Sequence, residues 1–375
     1  MRVLFWTDQF WPLIGGVEVL ATRFVSDMQQ RGHELAVVTN HVGLNLSDNY
    51  HGIPIYRFAF TEALVSQDVN LILEIRMKVG QLKKTFSPDL IHIASILPSV
   101  FFHLHTARYD QCPLLVTEQT LSQRAQHNAQ TILKQILTTA QWIVGCSRCV
   151  LSELQQYMPE ITSRSSVIYN GSDPPDLEPA PLPADPARLL CLGRLAPEKG
   201  FDVALRAMPM ILDRHPQTQL LIAGEGPLRD ELEQLTRNLA LNRSVQFSGW
   251  VTPEKVPELM NKSTMVLVPS RIESFGLVAL EAAFMARPVV ATVVGGLPEV
   301  VEHEKTGVLV EPEDADQLAH AAVDLLDNEK RMAQMGSDGR KLGIERFRWT
   351  RYLDAYETLY EKLTAKWPVT ESVSP

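Results

Sequence analysis

Strand-like and helix-like segments alternate along the whole chain, and that alternation is broken once, by a proline-rich stretch. Short apolar runs bounded by turn residues recur: Val3–Trp6, Leu35–Thr39, Leu90–Ile93, Leu114–Val116, Trp142–Cys146 and Val167–Tyr169. An amphipathic helix, Val17–Arg31, follows the first run and stops at Gly32. Residues 174–186 then carry prolines at 174, 175, 179, 181, 183 and 186, which reads as a stiff, extended linker. The pattern restarts beyond it, with strands Arg188–Leu192, Gln219–Ala223, Val245–Phe247, Met265–Val268, Val289–Ala291 and Val308–Leu309 and helices Phe201–Arg214 and Leu228–Leu239. A strand–helix alternation of this kind favours an α/β protein with parallel sheets.

At 375 residues the chain is long for one core and suits two domains. The expected division is residues 1–173, a linker at 174–186, residues 187–348, a long amphipathic helix within 349–366, and a flexible tail at 367–375. Two doubly wound sheets joined by a hinge leave a cleft, and ligands of such sheets bind beyond the carboxyl ends of the strands. No run of about 20 apolar residues occurs, so no membrane-spanning helix is expected. The first residues read as a core strand rather than a signal peptide. The cysteines at 112, 146, 149 and 191 form no disulfide framework or metal spacing, and are read as reduced thiols of a cytoplasmic protein.

Net charge is −9 and unevenly placed: residues 1–170 hold 13 basic and 13 acidic side chains, the remainder 22 and 31. Nucleic acid is a poor partner for that balance. Peripheral membrane contact through the neutral N-terminal domain is left open by Arg76, Lys78, Lys83 and Lys84, although a solvated helix face is the commoner reading. His92, His103 and His105 lack ligands at metal spacing.

Three segments offer anion-binding equipment. Gly15-Gly16 precede a helix start, where free N–H groups and the helix dipole favour negative charge. Gly193 to Gly200 is a glycine-bounded loop holding Arg194 and Lys199, two cations suited to a diphosphate. The third is the start of an apolar helix read as Phe275–Met285, with Ser274 as its cap. One carboxylate, Glu281, interrupts that helix, and a second, Glu273, precedes it. Burying an unmatched charge costs several kcal/mol, so the pair points to a polar ligand. Gly224-Glu225-Gly226 resembles half of a dinucleotide fingerprint, but Arg229 stands where its third glycine belongs.

Together these segments resemble the GT-B fold glycosyltransferases of family 4, the retaining, nucleotide-sugar-dependent kind. The likeness runs from Pro12–Glu18 through Ser87–His92, Asn170–Asp173, Gly193–Gly200 and Pro269–Ala282 to Gly295–Glu299 and Thr306–Val310. It implies two Rossmann-like domains facing across a cleft, with the last helix crossing back to the first. It also implies roles. Arg194 and Lys199 neutralise the donor diphosphate, Glu281 holds ribose hydroxyls, and Glu273 faces the transferred sugar. The N–H groups of Phe275, Gly276 and Leu277 hold the distal phosphate, and Gly16 reaches it from the first domain. Backbone near Trp250 and Val251 meets the base. No metal or other cofactor is implied, since fixed cations and a helix dipole can stabilise the departing charge.

The partners implied are a nucleoside-diphosphate sugar, with uridine the family default, and a glycan, lipid-linked or small-molecule acceptor. Two positions depart from the family pattern. Gln119 stands where a histidine is usual, and glutamine cannot serve as a general base. Ala286 stands where a glycine commonly follows the helix. Gln119 also motivates an alternative, a catalytically silent sugar-nucleotide-binding protein. A third alternative is a nucleotide-sugar epimerase or phosphorylase on the same fold; an epimerase would need an acid/base pair near the sugar, and none presents itself.

Overall fold

The computed structural model describes residues 1–13, 15–41, 43, 48–94, 96, 99–120, 127–183 and 185–367, with backbone alone at 127–130. The tail beyond Trp367 lies outside these residues. Two units result: Met1–Ile168 with the segment from Leu353 onward, and Tyr169–Tyr352.

Among the described residues the first unit is built on eight strands: β1 (Arg2–Trp6), β2 (Glu34–Asn40), β3 (Asn49–Tyr50), β4 (Ile53–Phe58), β5 (Leu90–Ile93), β6 (Leu114–Glu118), β7 (Trp142–Gly145) and β8 (Ser165–Val167). Their order is β3-β4-β2-β1-β5-β6-β7-β8. All pairs are parallel except β3 with β4. Strands covered on both faces can be apolar throughout, and Val3, Leu4, Phe5 and Trp6 are all buried. The helix Gly16–Gln30 buries Leu20, Ala21, Phe24, Val25 and Met28, the stripe expected of a helix lying on a sheet. The β3–β4 hairpin has no counterpart in the sequence reading: β3 has two residues, too few to show a period, and Pro54 interrupts β4.

The helix Trp349–Ala365 passes into the first unit at Leu353. There Arg31 pairs with Asp354 at 2.8 Å and with Glu357 at 2.7 Å. Beneath it, buried His92 is held by the Tyr360 hydroxyl at 2.7 Å and the Thr117 hydroxyl at 2.9 Å. Burial pushes the His92 imidazole down to about 3, so it is neutral and structural.

The expectation that Lys83 lies on a solvated face is overturned. Lys83 is buried, 2.6 Å from Asp110, and also donates to the His103 carbonyl at 3.3 Å. Its helix, Val69–Phe86, turns that position inward between Val79 and Phe86. Burial lowers the Lys83 pKa, and Asp110 offsets part of that shift.

The second unit has six parallel strands: β9 (Arg188–Leu192), β10 (Gln219–Ala223), β11 (Val245–Gly249), β12 (Met265–Val268), β13 (Val289–Thr292) and β14 (Gly307–Val310). Their order is β11-β10-β9-β12-β13-β14. The first strand in sequence is therefore central, and the chain leaves it in opposite directions toward β10 and β12. That is the topological switch point at which doubly wound sheets bind ligands.

The proline-rich stretch is not a free spacer; it is tied down on this unit. Thr264 donates to the Pro183 carbonyl at 2.6 Å, and Asn261 bonds Glu178 and Ala180, both at 2.9 Å. The buried guanidinium of Arg287 needs acceptors and finds them in the carbonyls of Ser263, at 3.2 Å, and Ala180. Proline fixes the extended course, and these bonds fix its place.

Candidate active site at the switch point of the second unit

Two loops leave the carboxyl ends of adjacent strands and meet. One, Gly193–Gly200, follows β9; the other, Pro269–Gly276, follows β12. Their approach depends on Gly200. It sits at φ +64, and a Cβ there would come within 2.0 Å of the Pro269 carbonyl oxygen. The N–H groups of Arg271 and Ile272 then donate to the Glu198 carbonyl, at 2.8 and 3.3 Å.

Arg271 clamps the junction. Its guanidinium grips Asp202 with two bonds of 2.9 Å, donates to the Pro197 carbonyl at 2.8 Å, and reaches Glu313 at 2.9 Å. These contacts raise its pKa and, despite partial burial, depress that of Asp202. Sequence reasoning missed this residue, since its partners lie 69 and 42 positions away. Arg271→Met is expected to cost about 2–3 kcal/mol, measured by calorimetry, by leaving carboxylates without their partner. Arg271→Lys should recover less than half, because an ammonium cannot reproduce the fork.

The clamped loops bring together Lys199 and Glu273, 74 positions apart, with Nζ 2.7 Å from the carboxylate. Both side chains are largely buried. Glu273 is held from the backbone as well, its carbonyl accepting from Gly296 at 2.9 Å. Arg194 points outward, 69% exposed, and pairs with Glu198. Burial raises the Glu198 pKa, but its backbone hydrogen bond and Arg194 outweigh that and hold it below the usual range.

The helix that follows begins later than the sequence suggested. It spans Leu277–Phe284, and its cap is Gly276 rather than Ser274. At φ +108, with the Leu297 side chain 2.8 Å from where a Cβ would be, Gly276 occupies a conformation that a serine would enter only with strain. The cap has no side-chain bond, so the helix start keeps its N–H groups available. Among the described residues, Phe275, Gly276 and Leu277 show no acceptor for theirs.

One turn further, about 6 Å along the axis, Glu281 interrupts a helix whose Ala279, Leu280, Ala282, Ala283 and Phe284 are buried. The Glu281 carboxylate has no hydrogen-bond or ion-pair partner among the described residues, and burial pushes it up to about 7. Ala286, just past the helix, holds φ +52, which costs roughly 1 kcal/mol relative to glycine.

Trp250 and Val251 follow β11, two strands from β9 in the same sheet, and Trp250 is 54% exposed. Gly224 after β10 donates to the Gly249 carbonyl at 2.8 Å, joining that corner to the switch point. Gly16 and Gln119 belong to the first unit. Gly16 opens the helix Gly16–Gln30, and Gln119 is buried just past β6. The Gln119 N–H donates to Glu118 at 3.0 Å. A residue missed there is Asp8, just past β1, which accepts from the Ser99 hydroxyl. Burial pushes its carboxyl up to about 6, and the Ser99 bond acts against that. Its signal was an acid at the end of an otherwise apolar strand. Among the described residues, no group of His, Cys, Asp and Glu side chains is arranged to hold a metal ion.

Two family models cover most of the chain. Glycosyltransferase Family 4 matches residues 14–175, and Glycosyl transferases group 1 matches residues 174–342, which includes every candidate residue of the second unit. The chain belongs to the group 1, family 4 glycosyltransferases. It is a transferase that uses a sugar donor. An uncharacterised glycosyltransferase of Methanocaldococcus jannaschii is 26% identical, over 93% of this chain and 95% of that one. Sucrose-phosphate synthase of Thermosynechococcus elongatus superposes with a TM-score of 0.85 at 24% identity, covering 97% of this glycosyltransferase and 99% of the synthase. Anabaena HepE in complex with UDP gives 0.78 at 23% identity, covering 96% and 99%. At such identities the two structures bear on fold alone: the units of this glycosyltransferase are the two Rossmann-like domains of a GT-B protein.

Proposed function

We propose that the chain moves a sugar from a nucleoside-diphosphate sugar to an acceptor hydroxyl, with retention at the anomeric carbon and without a metal. The observation that carries this reading is the Lys199–Glu273 pair at 2.7 Å beside a helix start with free N–H groups, followed by an unmatched Glu281. Lys199 and Arg194 neutralise the diphosphate. The N–H groups of Phe275, Gly276 and Leu277 take its distal oxygens, where a helix start favours anions. The Glu281 carboxylate accepts from ribose hydroxyls. Glu273 orients the sugar, and backbone near Trp250 and Val251 meets the base. Gly16 and Gln119 are the donor contacts proposed for the first unit.

The bond from the anomeric carbon to the phosphate oxygen breaks as the acceptor oxygen bonds to the same face. The acceptor's proton passes to the departing phosphate, since Gln119 cannot take it. Lys199 and the helix start stabilise the charge that develops there. The acceptor is a glycan, a lipid-linked sugar or a small molecule, and contact with a membrane surface through the first unit is part of the proposal.

The test is incubation with UDP-, GDP- and ADP-sugars and a set of such acceptors, with a chelator present, following release of nucleoside diphosphate. The expected result is release with one donor class that depends on Glu273 and Lys199. Inertness toward every donor, with nucleotide still bound, would favour the silent-binder reading that Gln119 raises, and Gln119→His should then restore hydrolysis.

A further inference from the structure

Four large apolar side chains of the first unit stand in solvent at four-residue intervals: Val65 (78% exposed), Val69 (66%), Leu73 (47%) and Met77 (69%). The last three lie on the helix Val69–Phe86, whose opposite side buries Ile75, Val79, Leu82 and Phe86. Four-residue spacing keeps Val69, Leu73 and Met77 on one stripe. A soluble helix with one face already in the core has no packing reason for a second apolar stripe.

The stripe continues past Met77. Gly80 comes next on that side, and the Tyr109 ring lies against it, 2.5 Å from where a Cβ would stand. Lys84 sits 4.6 Å from the centroid of that ring and Arg108 4.8 Å, with the Arg108 guanidinium also donating to the Tyr109 hydroxyl at 2.7 Å. From Val69 to Lys84 the stripe runs about 22 Å. Among the described residues, Arg76, Lys84 and Arg108 have no carboxylate partner. The acids nearby are engaged or at one end: Glu74 pairs with Lys78, Asp68 caps the helix through the N–H groups of Asn70 and Leu71, and Glu62 lies on the preceding helix. The net result is an apolar ridge that ends in an aromatic ring between two cations that have no carboxylate partner among the described residues.

We propose that this ridge lies in the surface of an anionic lipid bilayer, with Val69, Leu73 and Met77 in the acyl boundary and Arg76, Lys84 and Arg108 at the headgroups. Apolar side chains beside basic residues and an interfacial tyrosine fit that boundary. A protein partner would match the apolar row but gives no reason for the unpaired cations around Tyr109. The inference rests on the membrane contact included in the function proposed above, and it locates that contact.

The test is co-sedimentation of the full chain with vesicles of phosphatidylcholine alone or with phosphatidylglycerol, at low and high salt. Binding is expected only with phosphatidylglycerol, weakened by salt. Leu73→Glu with Met77→Glu should reduce it at least tenfold. Reversing Arg76, Lys84 or Arg108 to glutamate should cost about fivefold each, the equivalent of ~1 kcal/mol per basic residue. Asn70→Ser, exposed on the same helix, should leave it unchanged. Circular dichroism and turnover of a soluble acceptor should stay at wild-type level in every variant. Absence of vesicle binding by the wild type overturns the proposal, as does binding indifferent to both sets of changes. A dimer in solution that the Leu73 and Met77 changes dissociate, without vesicle binding, reassigns the ridge to a second copy. Any of these failures with donor turnover intact leaves the transfer reaction standing.

Discussion

Lys199→Met is expected to lower turnover of the nucleotide-sugar donor by roughly 10²–10³, the usual loss when one fixed group that stabilises leaving-group charge is removed. The change also leaves Glu273 without its partner. A carboxylate that has lost its buried partner destabilises the fold by itself, so reduced activity alone would not separate chemistry from folding. The double variant Lys199→Met, Glu273→Gln removes both charges together. It should melt within a few degrees of the wild type and still be as slow as the single variant. Lys199→Arg should recover only part of the rate, because a planar fork does not occupy the position of a point charge. A double variant that regains wild-type turnover would show that the pair serves the fold alone.

Glu281→Gln is expected to stabilise the ligand-free protein while weakening its grip on nucleotide. The Glu281 carboxyl stands at about 7 in the folded protein against an ordinary 4.5, because burial penalises its charged form. A raised acid pKa means that the folded state holds its proton to higher pH than the unfolded chain does. Below about pH 4.5 both states are protonated and the group costs nothing. Stability then falls as pH rises from 4.5 toward 7, and stays lower above that. The full effect is about 2–3 kcal/mol, and glutamine removes it. The variant should therefore melt about 5 °C higher at pH 8 and no differently at pH 4.5. Nucleoside diphosphate should bind it about tenfold more weakly, since the neutral amide replaces a charge-assisted bond to ribose. Wild-type affinity should rise as the pH passes through about 7, when the carboxylate forms. Equal melting temperatures at pH 8 would remove the physical argument for Glu281 as a ligand group.

Much of this is visible in the sequence, for a reason that particular residues show. Apolar runs such as Met265–Val268 and Arg188–Leu192 end where a loop begins with proline or glycine, and doubly wound sheets place ligands at those ends. The second unit's candidates are therefore legible as loop residues following strands. Contacts between loops are not. Nothing local to Lys199 announces Glu273, and nothing local to Arg271 announces Asp202 and Glu313; the sheet order creates both meetings. Helix starts shift for a similar reason. Ser274 has the side chain of a cap, but Gly276 holds the left-handed backbone and leaves room for Leu297, and the helix begins there. Lys83 misleads in the opposite direction: its charge suggests solvent, and Asp110, 27 positions on, makes burial tolerable.

Calorimetric titration of UDP, GDP and ADP into the full chain, with a chelator present at pH 8, tests the donor site most directly. The account predicts that one of the three binds with one-to-one stoichiometry, and that Glu281→Ala and Lys199→Ala each weaken it at least tenfold. Failure of all three to bind, or an affinity unchanged in both variants, would contradict it.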